Sequence, residues 1–254
     1  MTDLKLHENI NRLIVDGIQQ GYKDYLEVRR SAVEKYDLKV SSAYSWIKGN
    51  HIDSSVNKEC SNNEMFSSEV KIAGTSWEYI QFYLKNLSEK YMLIIKNSSI
   101  KDKIFNGKVD KKKKNNYLYG YAGINNKFND DIRNKEKLPH NTFIQMTIPE
   151  FADDSDKNKA EEDLKNYDRF YVVTYEIDKN TQRIKRITLC MPSQEMVLHE
   201  IDDLTPLIAN SKVIINDDEL EIAKDDKFPN EEYPEQISTF GYEKPKKSQE
   251  DTDK

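Results

Sequence analysis

The chain reads as an α+β protein: a long N-terminal helix with a strand-helix-strand unit, then a mainly antiparallel sheet and a disordered C-terminal tail. Three observations predict this. Apolar residues recur at Ile10, Leu13, Ile14, Ile18, Tyr22, Tyr25 and Val28, the three-to-four spacing of one amphipathic helix face. Beyond residue 116, segments rich in aromatic and β-branched residues dominate, as strands require. From Lys244 onward the chain is polar and charged with no apolar period, which cannot support a core.

Taken in order, His7 to about Arg30 predicts the long helix. In Tyr44-Ser45-Trp46-Ile47-Lys48-Gly49-Asn50-His51-Ile52-Asp53, the pair Gly49-Asn50 is a turn signal. The segment is either a helix stopped by Gly49 or a hairpin whose second arm is His51 to Asp53. Ser67 to Ile72 then predicts a strand with Glu69 and Lys71 on one face and Val70 and Ile72 on the other. Gly74 would end that strand, and Thr75 with Glu78 has the form of a capping box, so a helix is expected over Trp77 to Leu87. Tyr91 to Ile95 is a short continuous apolar run, the pattern of a buried strand.

The clearest compositional break is Lys96 to Asn116, with Lys111, Lys112, Lys113 and Lys114 at its centre. We read region 1–97 as the helix and strand region, 98–116 as a Lys-rich loop or linker, 117–243 as a β-rich region forming one unit with the first, and 244–254 as the tail. Tyr117 to Ile124, Thr142 to Ile148, Phe170 to Ile177 and Ile184 to Met191 all predict strands. The last two are joined by Asp178 to Gln182 as a hairpin loop. A helical turn is expected at Leu204 to Ile208 and a short strand at Val213 to Ile215.

Bulk composition bounds function. The net charge of -6, from 45 acidic and 39 basic residues, excludes a global basic field, so nucleic acid would be met by a local patch. Lys111 to Lys114 is that patch, since clustered cations release counterions from a phosphate backbone; an ordinary solvated loop is the other reading. Cys60 and Cys190 are isolated in sequence, which favours a reduced cytoplasmic setting and supports neither a disulfide framework nor a zinc ribbon. No apolar run approaches the roughly 18 to 20 residues of a spanning helix; no membrane is expected. Eight glycines include no phosphate-cradling loop. The abundance of Lys, Asn and Ile is what an AT-rich bacterial or phage genome encodes.

The N-terminal half is faintly similar to metal-dependent nucleases of the PD-(D/E)xK type. These place an aspartate on one strand and a (D/E)xK triplet on the next, so that two carboxylates hold a divalent ion that activates water. Asp53 followed by Glu69-Val70-Lys71 has a compatible separation, and Gln81 follows. The similarity implies Asp53 and Glu69 as ligands of Mg2+ or Mn2+, Lys71 orienting water and Gln81 in support. Six (D/E)xK triplets occur in the chain, so one in a strand is also expected by chance, and Asp53 is equally a helix N-cap by its Ser54-Ser55 context. More widely, Tyr44 to Asp53, Ser76 to Phe82 and Tyr171 to Asp178 together resemble an uncharacterised bacterial and phage family classed as a domain of unknown function. Two functions remain open: a phage- or defence-related nucleic-acid hydrolase, and a non-catalytic protein-interaction or regulatory protein. An exposed apolar patch without a carboxylate cluster would favour the second.

Overall fold

The computed structural model describes residues 3–39, 41–73, 77–86, 88–98, 104–109, 117–129, 131 and 165–224. Its centre is one six-stranded sheet in the order β1-β2-β3-β4-β5-β6. The strands are β1 Phe66–Ala73, β2 Trp77–Asn86, β3 Glu89–Asn97, β4 Arg169–Ile177, β5 Ile184–Pro192 and β6 Leu198–Asp203. Every neighbouring pair is antiparallel except β3 and β4, which run parallel. The sheet is therefore two three-stranded meanders fused side by side. Parallel neighbours need a long crossover, and the segment between β3 and β4 supplies it, including helix α3, Tyr117–Ala122, and a 3-10 helix, Gly123–Phe128.

One face of the sheet is covered by α1, Glu8–Tyr36, and α2, Lys48–Cys60, with α4, Asp217–Lys224, beside α1. Alternation along the strands assigns residues to each face. Phe82, Leu84, Leu93, Ile95, Tyr171, Val173, Ile187 and Leu189 join Ile10, Ile14, Ile18, Ile52 and Val56 in the main core. Tyr79, Met92, Ile94, Phe170 and Val172 point the other way, into a second core with Leu118, Tyr119 and Ile124.

Two glycines one helical turn apart on α1 set how near α2 lies. A Cβ at Gly17 would stand 2.5 Å from Val56 Cα, and one at Gly21 2.4 Å from Ile52 Cα and 2.6 Å from the carbonyl oxygen of His51. These are backbone atoms, so no side-chain rotation relieves them. The close crossing is bought by the absence of side chains at both positions.

Across the sheet, buried Asn125 pins the crossover in place. Its Nδ2 donates to the carbonyls of Phe170 at 2.8 Å and Pro192 at 2.9 Å, while its Oδ1 accepts from the Phe170 amide at 2.9 Å. Buried Arg169 ties the N-terminal segment to β3 and β4, donating to the Asp3 carbonyl at 2.7 Å and to both carboxylate oxygens of Glu89.

Several expected elements are found: the long helix, β1, β3, β4, β5 with its hairpin loop, and the 3-10 turn Thr205–Asn210. Four are corrected. Trp77 to Asn86 is strand β2, so Glu78 caps no helix; alternation of Ile80, Phe82 and Leu84 toward the main core outweighs the helical spacing. Tyr44 to Asp53 is no hairpin: Ser42–Ile47 is a 3-10 helix running into α2, with Gly49 inside the first turn. Tyr117 to Ile124 is helical because its aromatics pack on one sheet face. Val213 to Ile215 takes no strand partner among the described residues. The Thr142 to Ile148 strand, Lys111 to Lys114 and the tail from Lys244 lie outside the described residues.

Candidate functional site

The expected metal-site residues, Asp53, Glu69, Lys71 and Gln81, fall in the first meander and α2, whereas the expected nucleic-acid patch, Lys111 to Lys114, lies outside the described residues. Register places Glu69 opposite Gln81 and Lys71 opposite Tyr79. These four therefore share the sheet face that carries the second core. Glu69 Oε2 lies 2.8 Å from Lys71 Nζ and accepts a hydrogen bond from the Tyr83 hydroxyl at 3.2 Å. Gln81 is fully buried, and its Oε1 accepts from the Tyr79 hydroxyl at 3.2 Å.

Asp53 arrives from the opposite side. Pairing of β2 with β3 begins at Phe82 and Leu93, so among the described residues Trp77 to Gln81 have no strand neighbour on their β3 side. Into this split α2 inserts Asp53, whose Oδ2 accepts the Ile80 amide at 3.1 Å. The carboxylate is an internal cap for a strand edge that would otherwise leave a donor unpaired. Burial pushes its pKa up to about 6, opposed by the nearby Lys96 ammonium and by the bond from Ile80. Lys96, itself buried, lies 4.9 Å from the centre of the Tyr79 ring. Tyr79 stacks on Tyr117 at 5.1 Å, and burial raises the pKa of both phenols, keeping them protonated.

The arrangement that a two-carboxylate ion site requires is not the one found. Asp53 stands on a helix, and β2 runs between it and Glu69. Asp53 has Lys96 as its neighbouring cation, and Glu69 has Lys71. Among the described residues no group of three or more His, Cys, Asp and Glu is placed to hold a metal ion. Mg2+ and Mn2+ take several anionic or neutral oxygens, and among the described residues Asp53 and Glu69 are not gathered into such a group. What brought Asp53 and Gln81 near one another is the β2/β3 split, which depends on tertiary packing. Lys96 and Tyr117, the other members of this nest, carried no sequence signal beyond their types.

The exposed part of the same meander is β1. Among the described residues it pairs with β2 alone and forms one edge of the sheet. On the face away from Glu69 and Lys71 it presents Val70, 60% exposed, and Ile72, 64% exposed. Its backbone is also oriented outward. The Ile80 amide binds Asp53 and so points away from β1. Ile80 and its partner Val70 thus form a pair without mutual hydrogen bonds, which turns the N–H and C=O of Val70 to the free edge.

No protein-family model matches the chain, and neither the curated proteins nor the solved structures give a match. The reading of function therefore rests on this geometry. Among the described residues no helix is long and apolar enough to cross a membrane.

Proposed function

We propose that the protein is an interaction module that docks another protein chain on the edge of its sheet at β1. The observation that carries this reading is the exposure of Val70 and Ile72 on an edge strand of eight residues. Such a strand offers unpaired N–H and C=O groups for main-chain bonding, with alternate side chains for selectivity. Long apolar edges are a liability that soluble proteins otherwise blunt. The polar nest of Asp53, Lys96, Gln81 and Tyr79 serves this reading as a support, holding β2 straight where β3 leaves it.

A photo-crosslinking residue at exposed Ser68 tests it in growing cells. Covalent adducts to a protein chain are expected there. Their absence, together with a Mg2+- or Mn2+-dependent nuclease activity abolished by Glu69→Ala, would overturn the reading in favour of hydrolysis.

A further inference from the structure

Resting on β1 as the docking edge, we propose that the chain docked there is a second copy of this protein. The two β1 strands pair antiparallel about a two-fold axis through Val70, extending two six-stranded sheets into one of twelve.

The charge pattern of the edge selects this occupant. In an antiparallel pair centred on Val70, Glu69 of one copy faces Lys71 of the other, and symmetry repeats the contact with the roles exchanged. Within one chain the same two groups already meet at 2.8 Å, so pairing exchanges the two intrachain ion pairs of the separate copies for two cross-strand ones and leaves no charge unmatched. A two-fold interface must be complementary to itself, and the triplet Glu-Val-Lys meets that requirement in the antiparallel register. A parallel pairing in register would set Glu69 against Glu69 and Lys71 against Lys71, which is repulsive.

Backbone and apolar side chains agree with the same centre. The outward N–H and C=O of Val70 make the Val70 pair one that exchanges two hydrogen bonds, the closed ring of an antiparallel ladder. By alternation Ser68 and Ile72 also point their backbone groups outward, and they fall opposite each other across the axis. On the sheet face toward α2, the two Val70 side chains meet, with an Ile72 on either side. The exposed apolar residues of β1 are thereby covered without calling on any other surface.

The ion-pair exchange supplies a decisive test. Sedimentation equilibrium of the full chain at about 10–100 µM should show a monomer–dimer equilibrium, the range in which a small interface associates. Glu69→Lys places two lysines against each other twice per dimer, and Lys71→Glu does the same with glutamates; each should weaken association about tenfold or more. Mixing the two variants restores opposite charges at every contact and should return the dimer as a heterodimer. Thermal unfolding of each variant, unchanged from the parent, shows that the fold is intact. A parent chain that stays monomeric overturns the proposal, as does a dimer indifferent to both substitutions or a mixture that does not recover. The Ser68 crosslink separates this from the broader reading. Adducts of twice the chain mass support self-pairing. Adducts to a different protein with a monomeric parent end self-pairing and leave β1 a docking edge. No adduct at all ends self-pairing, and with a nuclease activity lost in Glu69→Ala it ends the docking reading too.

Discussion

The two edges of this sheet are finished in opposite ways. β6 has six residues; its exposed positions are occupied by Glu200 and Asp203, and Asp202 is half-buried between them. Glu200 is held bidentately by Arg186 at 2.7 and 2.8 Å, and Asp202 by Lys5 at 2.5 Å. A short acidic edge resists addition of another strand. β1 is longer and carries two exposed β-branched apolar residues beside a matched pair of opposite charges. On the proposed reading, the apolar edge is the one that receives a chain. The difference traces to the helical layer: α2, held tightly against α1, reaches β2 through Asp53 and touches β1 through the Ser68 hydroxyl's bond to Asn57, leaving Val70 and Ile72 beyond its cover.

The strongest way to break that contrast is to move α2. Gly21→Ala would drive a Cβ into the backbone of Ile52 and His51, and the helices would have to separate. A loss of about 3 kcal/mol or more is expected in urea unfolding, at the upper end for overpacking because no rotamer change accommodates it. A loss below about 1 kcal/mol would show that the crossing is slack. On the other side of the sheet, Asn125→Ala leaves two buried carbonyls and one amide without their partner. It should cost about 2–3 kcal/mol, while the β1 edge remains as competent to associate as before.

Asp53 sets the geometry of the split, and its ionisation gives a pH signature. Its folded-state pKa is about 6 against an ordinary 3.8. Between those values the folded state holds a proton that the unfolded chain has released, so stability falls as pH rises through the window from about 4 to 6. Above it the ionised group costs up to about 3 kcal/mol, two pKa units at roughly 1.4 kcal/mol each. Asp53→Asn keeps an acceptor for the Ile80 amide and cannot ionise. It should match the parent at pH 3.5 and exceed it by about 1–3 kcal/mol at pH 8. Parallel stability curves across that range would mean that the carboxylate is solvated.

How much of this was legible in sequence depends on the range of the interactions. Strands flanked by turn residues, such as β4 and β5 around Asp178 to Gln182, are local, and so is the long period of α1. Trp77 to Leu87 fits a helix by the spacing of Ile80, Leu84 and Leu87, and a strand by the alternation of Ile80, Phe82 and Leu84; pairing with β1 and β3 decides between them, and the period of one segment does not display that pairing. Asp53 was singled out for the chemistry of a metal site. It lies in α2, whose close approach to α1 depends on Gly17 and Gly21, and their spacing of four is a close-packing signal only once a partner helix is known. The Glu69 and Lys71 pair was legible as two groups on one strand face. That the opposite face, with Val70 and Ile72, faces solvent required knowing where α2 ends.

The smallest expected effect on stability is the most discriminating between the edges. Val70→Thr with Ile72→Thr keeps β-branched shapes on β1 and replaces apolar surface that already contacts water. Such exposed changes typically lie within about 0.5 kcal/mol of the parent, so the melting transition should hardly move. Association should nonetheless fall, because the methyl groups lost are those that would be buried when a strand docks. The matching change on the guarded edge, Glu200→Ala, removes a surface ion pair worth about 0–1 kcal/mol and should leave association untouched. Equal effects of the two variants on sedimentation would erase the asymmetry; a fall confined to β1, with both proteins equally stable, assigns the docking function to that edge and not to the fold as a whole.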